Sequence, residues 1–116
     1  MLKKLCAKLP MRNKEQTINY YVNQLDFTLL NDYGDYILLE KDAIEMHFFA
    51  FPTLSVTENY GQVYIRTEEI EKFYAHLLAK NVAIHPNGSL TEKPWQMKEF
   101  ALLDPDNNLL TFGEEI

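Results

Sequence analysis

The residues best equipped for chemistry alternate along short extended runs. Glu45, His47 and Phe49 fall on one side of residues 43–51, while Ile44, Met46 and Phe48 fall on the other, because successive side chains of a strand point to opposite faces. A carboxylate two residues from an imidazole can do acid–base work or hold a polar ligand. The same sorting recurs where Gln62, Tyr64 and Arg66 oppose Val63 and Ile65, and where Leu109, Thr111 and Gly113 oppose Leu110 and Phe112. Faces that are apolar throughout are expected to pack on helices. The opposite faces mix rings with hydrogen-bonding groups, the make-up of a ligand cleft and equally that of a solvated outer sheet face. Phe49 and Tyr64 share the mixed face by parity, and Tyr36 sits on the strand next to Phe49.

The other reactive side chains are isolated in sequence. His76 lies between Phe73 and Leu77 on a helix, His85 precedes Pro86 at a loop, and no histidine has an evident catalytic partner; His47 is retained as a ligand contact. Trp95, the single tryptophan, follows Pro94 in a loop-like segment, which suits an aromatic platform for a ligand or a ring at an interface or in the core. Cys6 is the only cysteine, so no internal disulfide forms, and an inert thiol buried in a first strand is expected.

Two amphipathic helices must position these residues. In the first, Asn13 is the expected N-cap, with Gln16 three residues on and Ile18, Tyr21, Val22 and Leu25 forming the buried stripe. In the second, Thr67 precedes the acids Glu68 and Glu69 of a first turn, Ile70, Phe73, Tyr74, Leu77 and Leu78 form the stripe, and Lys80 and Asn81 close it. The helix cores lie about 52 residues apart, a spacing that points to a repeated module. Strands are expected at 5–11, 26–30, 35–40 and 43–51 in the first half. In the second half they are expected at 62–66, 82–85, 98–103 and 108–113, with turns at Asn31-Asp32 with Gly34, Lys41-Asp42, Pro86-Asn87-Gly88 and Asp104-Pro105-Asp106-Asn107. The fold class is therefore α+β: a single domain over 1–116 made of two tandem β-α-β-β-β modules, about 1–58 and 59–116.

Composition narrows the partners. The 116 residues, 47% hydrophobic and 24% charged, are those of one folded domain rather than a disordered chain. Seventeen acids against 11 bases give a net charge of −6, which argues against a nucleic-acid partner and favours neutral or cationic ligands. No stretch approaches the roughly 20 apolar residues of a membrane span, and the first ten residues lack the apolar run of a signal peptide, so a cytoplasmic protein is expected.

Several of these segments together resemble the glyoxalase, bleomycin-resistance and dioxygenase superfamily, also called the vicinal-oxygen-chelate fold. Tyr20-Tyr21, followed by Leu25-Asp26-Phe27, resembles its first-helix ending, with Asp26 in the usual glycine place. Residues 63–70 resemble its fifth strand entering the second helix, and residues 104–108 its Asp-Pro-Asp-Gly-Asn turn, with Asn107 replacing glycine. Two further segments are similar to the bleomycin-resistance proteins within it. These are residues 45–52 and the run Pro94-Trp95-Gln96 with Glu99-Phe100, where Gln96 stands in place of a glycine.

The resemblance implies a cup-shaped mixed sheet and a homodimer whose first strand exchanges between copies. It implies clefts at the dimer interface that sequester a drug such as bleomycin, or a metabolite, between aromatic rings. The ligand-contact set it suggests is Trp95, Phe49, Tyr64, Tyr36, His47 and Gln62. Enzymes of the superfamily hold a divalent metal with four side chains, and the matching slots here are Cys6, Glu45, Gln62 and Thr111. Threonine stands where a carboxylate is needed, and a thiol with oxygen donors is a poor mixed set, so neither metal nor cofactor is expected. The alternatives are a metal-dependent lyase, isomerase or thiol transferase of the same superfamily, and a module binding some other metabolite or a partner protein.

Overall fold

The computed structural model describes residues 1–116, which divide into two compact units, Met1–Asn59 and Tyr60–Ile116. In the first unit β1 (Ala7–Met11) leads into α1 (Lys14–Ile18), which continues as π-helical turns over Asn19–Gln24. Strands β2 (Thr28–Asp32), β3 (Tyr36–Lys41) and β4 (Ile44–Ala50) follow. The sheet order is β1-β4-β3-β2, with β1 parallel to β4 and the other pairs antiparallel.

The second unit repeats the plan with β5 (Gln62–Arg66), α2 (Ile70–Ala79), β6 (Thr91–Lys93), β7 (Met97–Leu103) and β8 (Leu109–Glu115). Its order, β5-β8-β7-β6 with β5 parallel to β8, matches the first strand for strand. The repeat expected from the helix spacing is thus present as two four-stranded mixed sheets, each with a helix after its first strand.

Strand alternation sorts side chains as expected. Met46 and Phe48 are buried in the first unit with Leu9, Met11, Ile37 and Leu39, while Glu45, His47 and Phe49 are half-buried. Tyr21 anchors that core, its ring edge-on to Phe27 at 5.5 Å and tilted against Phe48 at 4.8 Å. In the second unit Phe100 stacks on Phe112 at 5.0 Å, and both meet Phe73 from α2.

Three local expectations are corrected. The buried stripe of the first helix is Thr17, Tyr20, Tyr21 and Leu25 rather than Ile18, Tyr21, Val22 and Leu25. The widened turns, marked by Leu25 N–H donating to Tyr20 O, shift the phase of the helix and turn both tyrosines inward. Residues 82–85 are not a strand. Pro86 has no N–H for a ladder, and the segment holds β7 only through His85 N–H to Ala101 O and Ala101 N–H to Gly88 O; the third pairing strand is Thr91–Lys93. Helix α2 starts at Ile70, not beside Thr67, whose hydroxyl donates to Ile65 O instead. Its first amides are satisfied by Glu114 from β8, which accepts from Glu69 N–H at 3.0 Å and Ile70 N–H at 3.1 Å.

Asn13 caps α1 as expected, its side chain accepting from Gln16 N–H. The three positions where glycine was expected by resemblance all keep a left-handed backbone: Asp26 at φ 65°, Gln96 at φ 64° and Asn107 at φ 63°. Asn107 sits in a turn closed by the buried carboxylate of Asp104, which accepts from the backbone N–H of Asp106 and of Asn108 and from the Asn108 side chain.

Candidate functional site

Each unit carries one polar and aromatic sheet face. In the first, parallel pairing of Ala7 with Met46 and Lys8 with His47 brings Cys6 alongside Glu45, at the mouth of β1. Glu45 collects three partners. Its Oε2 lies 2.6 Å from His47 Nε2 and 3.5 Å from Cys6 Sγ, and its Oε1 accepts from Lys4 Nζ at 3.1 Å. The His47 bond and then Lys4 hold its carboxyl down at a pKa of about 2. His47 Nδ1 in turn meets the Tyr36 hydroxyl at 2.6 Å, with the rings edge-to-face at 5.4 Å. If the phenol donates to Nδ1, Nε2 carries the proton and donates to Glu45, so a single tautomer satisfies the whole chain.

His47, for which the sequence offered Glu45 as a neighbour but no evident catalytic partner, therefore has two hydrogen-bond partners. Cys6 is half-buried beside a carboxylate, not enclosed in a strand, because β1 begins only at Ala7 and Leu5 stands exposed. Burial first, and then Glu45, pushes its thiol pKa up. Phe49 pairs with Tyr36 across β3 and β4 and is half-buried on the same face.

In the second unit Tyr64 reaches from β5 over β8 to β7. Its hydroxyl donates to Glu99 Oε2 at 2.7 Å, and the indole N–H of Trp95 donates to the same oxygen at 2.8 Å. The crossing is possible because Gly113, paired with Glu99, has no side chain: a Cβ there would stand 2.0 Å from the Tyr64 hydroxyl oxygen. Glu99 is 8% exposed, while Trp95 and Tyr64 are 61% and 47% exposed. A buried carboxylate thus pins two rings whose faces remain open to solvent. Burial, followed by the bond to Glu99, raises the Tyr64 phenol to a pKa of about 12. Gln62 is exposed at the head of β5, outside this cluster.

Of the six candidates, Tyr36 and His47 are brought together directly, with Phe49 beside Tyr36, and Trp95 and Tyr64 through Glu99. Glu99 and Gly113 escaped sequence reasoning as site residues; the available signals were the Glu99-Phe100 pair of the resemblance and the place of Glu99 as the single charge among Met97, Ala101 and Leu103 on one face of β7. A charged concavity of about 390 Å³, lined among others by Glu69, Glu71, Lys98 and Glu114, contains neither a ring nor any of the candidates.

The fold is that of one family. Over residues 6–112 the chain matches the sequence profile of the Glyoxalase/Bleomycin resistance protein/Dioxygenase superfamily. The chain belongs to that superfamily.

Among curated proteins, the bleomycin resistance proteins of Geobacillus stearothermophilus and Staphylococcus aureus are each 27% identical to this superfamily member, with 93% of both chains covered. Among solved structures, a bleomycin resistance determinant encoded on the transposon Tn5 superposes with a TM-score of 0.89 at 21% identity, covering 98% of each chain. A bleomycin-binding protein complexed with bleomycin gives a TM-score of 0.88 at 21% identity, covering 99% of this chain and all of the other.

The four metal slots of the superfamily fit this chain poorly. Cys6 and Glu45 adjoin in the first unit, and Gln62 and Thr111 share a face of the second through the β5–β8 pairing. Thr111 brings a neutral hydroxyl where a charged oxygen is needed, so the set is short of one strong donor.

Proposed function

We propose that this protein binds a small molecule, bleomycin or a metabolite of similar chemistry, and sequesters it without transforming it. The observation that carries the reading is the seating of Trp95 and Tyr64, two open ring faces fixed by one buried carboxylate. A ring already held by its N–H bond need not be ordered when a ligand arrives, which spares about 0.5–1.5 kcal/mol per immobilised side chain. Flat aromatic portions of a ligand stack on such faces, and cationic portions are drawn by ring quadrupoles and by the net charge of −6. The broken metal set weighs against a lyase, isomerase or transferase mechanism that needs all four ligands, and the names of the relatives support drug binding.

The proposed contacts are Trp95, Tyr64, Tyr36, Phe49, His47 and Gln62, in clefts between two copies of the chain. Exchange of the first strand fits the exposed leader before β1, in which Leu2 and Leu5 cover nothing within the chain. No helix is long and apolar enough to cross a membrane. Together with a single unpaired cysteine, this supports a cytoplasmic setting.

Calorimetric titration with metal-free and with copper-loaded bleomycin tests the proposal, with sedimentation giving the oligomeric state. Saturable binding at one site per chain is expected. A folded dimer that takes up neither form would remove the drug as ligand, and a monomer would remove the interfacial cleft.

A further inference from the structure

The first unit gathers three different donor types by itself. Cys6 Sγ, Glu45 Oε2 and a ring nitrogen of His47 all lie within 4.8 Å of one another, on the face formed where β1 pairs with β4. We propose that these three side chains form a site for one divalent ion of the zinc class, which shares Cys6 and Glu45 with the four slots of the superfamily but is completed by His47 within a single unit. His47 is in none of those slots, and neither Gln62 nor Thr111 is required.

Donor chemistry selects the ion. One thiolate, one imidazole and one carboxylate oxygen suit zinc or cobalt(II), whereas magnesium and calcium call for oxygen throughout. With metal–ligand bonds of roughly 2.0–2.3 Å, tetrahedral ligands stand about 3.4 Å apart. The Sγ to Oε2 separation of 3.5 Å already fits, and His47 Nε2, at 2.6 Å from Oε2, has to withdraw by less than about 1 Å.

The supporting groups are in place as well. Lys4 holds Oε1 of Glu45, leaving Oε2 turned towards the other two donors. Tyr36 sits on His47 Nδ1, the outer-shell position that orients a ligating imidazole. When the ion takes Nε2, the ring proton moves to Nδ1 and is donated to the Tyr36 oxygen, while the thiol proton is released to solvent. Three protein ligands leave the fourth position open to water or to a donor atom of a bound ligand.

Cobalt(II) titration of the untagged, thiol-reduced protein reads the site directly. Expected is one ion per chain, with a thiolate-to-cobalt charge-transfer band and the intense visible bands of tetrahedral coordination, all displaced by zinc. Cys6→Ser should abolish the charge-transfer band, His47→Gln should weaken affinity at least about 10-fold, and Tyr36→Phe about 10- to 100-fold. Thr111→Val should change nothing, in contrast to a site built on the four slots. The proposal is overturned if folded wild-type protein shows no charge-transfer band at saturating cobalt, or if the Cys6 and His47 variants bind as wild type. Should those variants fail to fold, the wild-type spectrum alone decides. Bleomycin takes no part, so a failure here leaves the sequestration reading untouched.

Discussion

The hydroxyl of Tyr64 and the carboxylate of Glu99 meet at 2.7 Å although β8 runs between their strands. The bond exists because the intervening residue is Gly113, over which the phenol ring passes. Trp95 completes the arrangement from the turn before β7.

Gly113→Ala therefore evicts the Tyr64 ring, since the new Cβ and the hydroxyl cannot both occupy the space. Overpacking of this kind costs about 1–3 kcal/mol, to be seen as a lower urea midpoint with an unchanged slope. An unchanged midpoint would show that the ring has an alternative seat of equal energy.

Tyr64 also sets an alkaline limit. Its folded pKa of about 12 lies above the ordinary 10, so the unfolded chain loses this proton first as pH rises. The stabilisation is complete below pH 10 and is lost as pH climbs from 10 through about 12. The stability difference between wild type and Tyr64→Phe should be flat up to pH 10 and shift against wild type above it, measured by urea unfolding at each pH. A difference that stays constant across that range would refute the assignment.

Trp95→Ala should weaken bleomycin binding by at least 10-fold, about 1.4 kcal/mol or more, because the aromatic platform goes. Stability should fall as well, by about 1–3 kcal/mol, because the buried Glu99 carboxylate loses one of its two donors. Trp95→Phe, which keeps a ring but loses the donor to Glu99, should fall between. Calorimetry on the three proteins separates these outcomes, and wild-type affinity in Trp95→Ala would move the platform elsewhere.

Gln96 pays for its left-handed backbone at φ 64°. Replacement by glycine should leave stability within about 0.5 kcal/mol of wild type or raise it, relief of strain offsetting the freer unfolded chain. Gln96→Val should cost more than about 1 kcal/mol, because branching at Cβ makes positive φ hardest to reach. Equal thermal midpoints for the two variants would mean that the turn had changed shape.

Patterns that depend on near neighbours were legible in the sequence, and those that depend on distant partners were not. The β4 alternation could be read because its two faces differ in chemistry at every step, and the helix spacing exposed the repeat. Residues 82–85 misled because apolar Val82 and Ile84 imitate a strand, while Thr91–Lys93, polar at every position, gives no strand signal. The start of α2 was misplaced because its amides are served by Glu114, 45 residues from Glu69. Glu45 beside His47 followed from parity, but Tyr36 on His47 required the register of β3 against β4. The role of Glu99 required Gly113, whose importance is an absence of atoms and leaves no trace in a local pattern.

In both units the fourth strand is an inner one, hydrogen-bonded on each side, so β4 carries Glu45 and His47 and β8 carries Thr111 and Gly113 on doubly protected backbone. Amides of such strands exchange with deuterium only when a whole unit opens, whereas the exposed turn bearing Trp95 lies outside these inner ladders. A ligand can therefore slow exchange visibly at the Trp95 turn but has little left to slow along β4 and β8, where the chain is already as still as its folding allows.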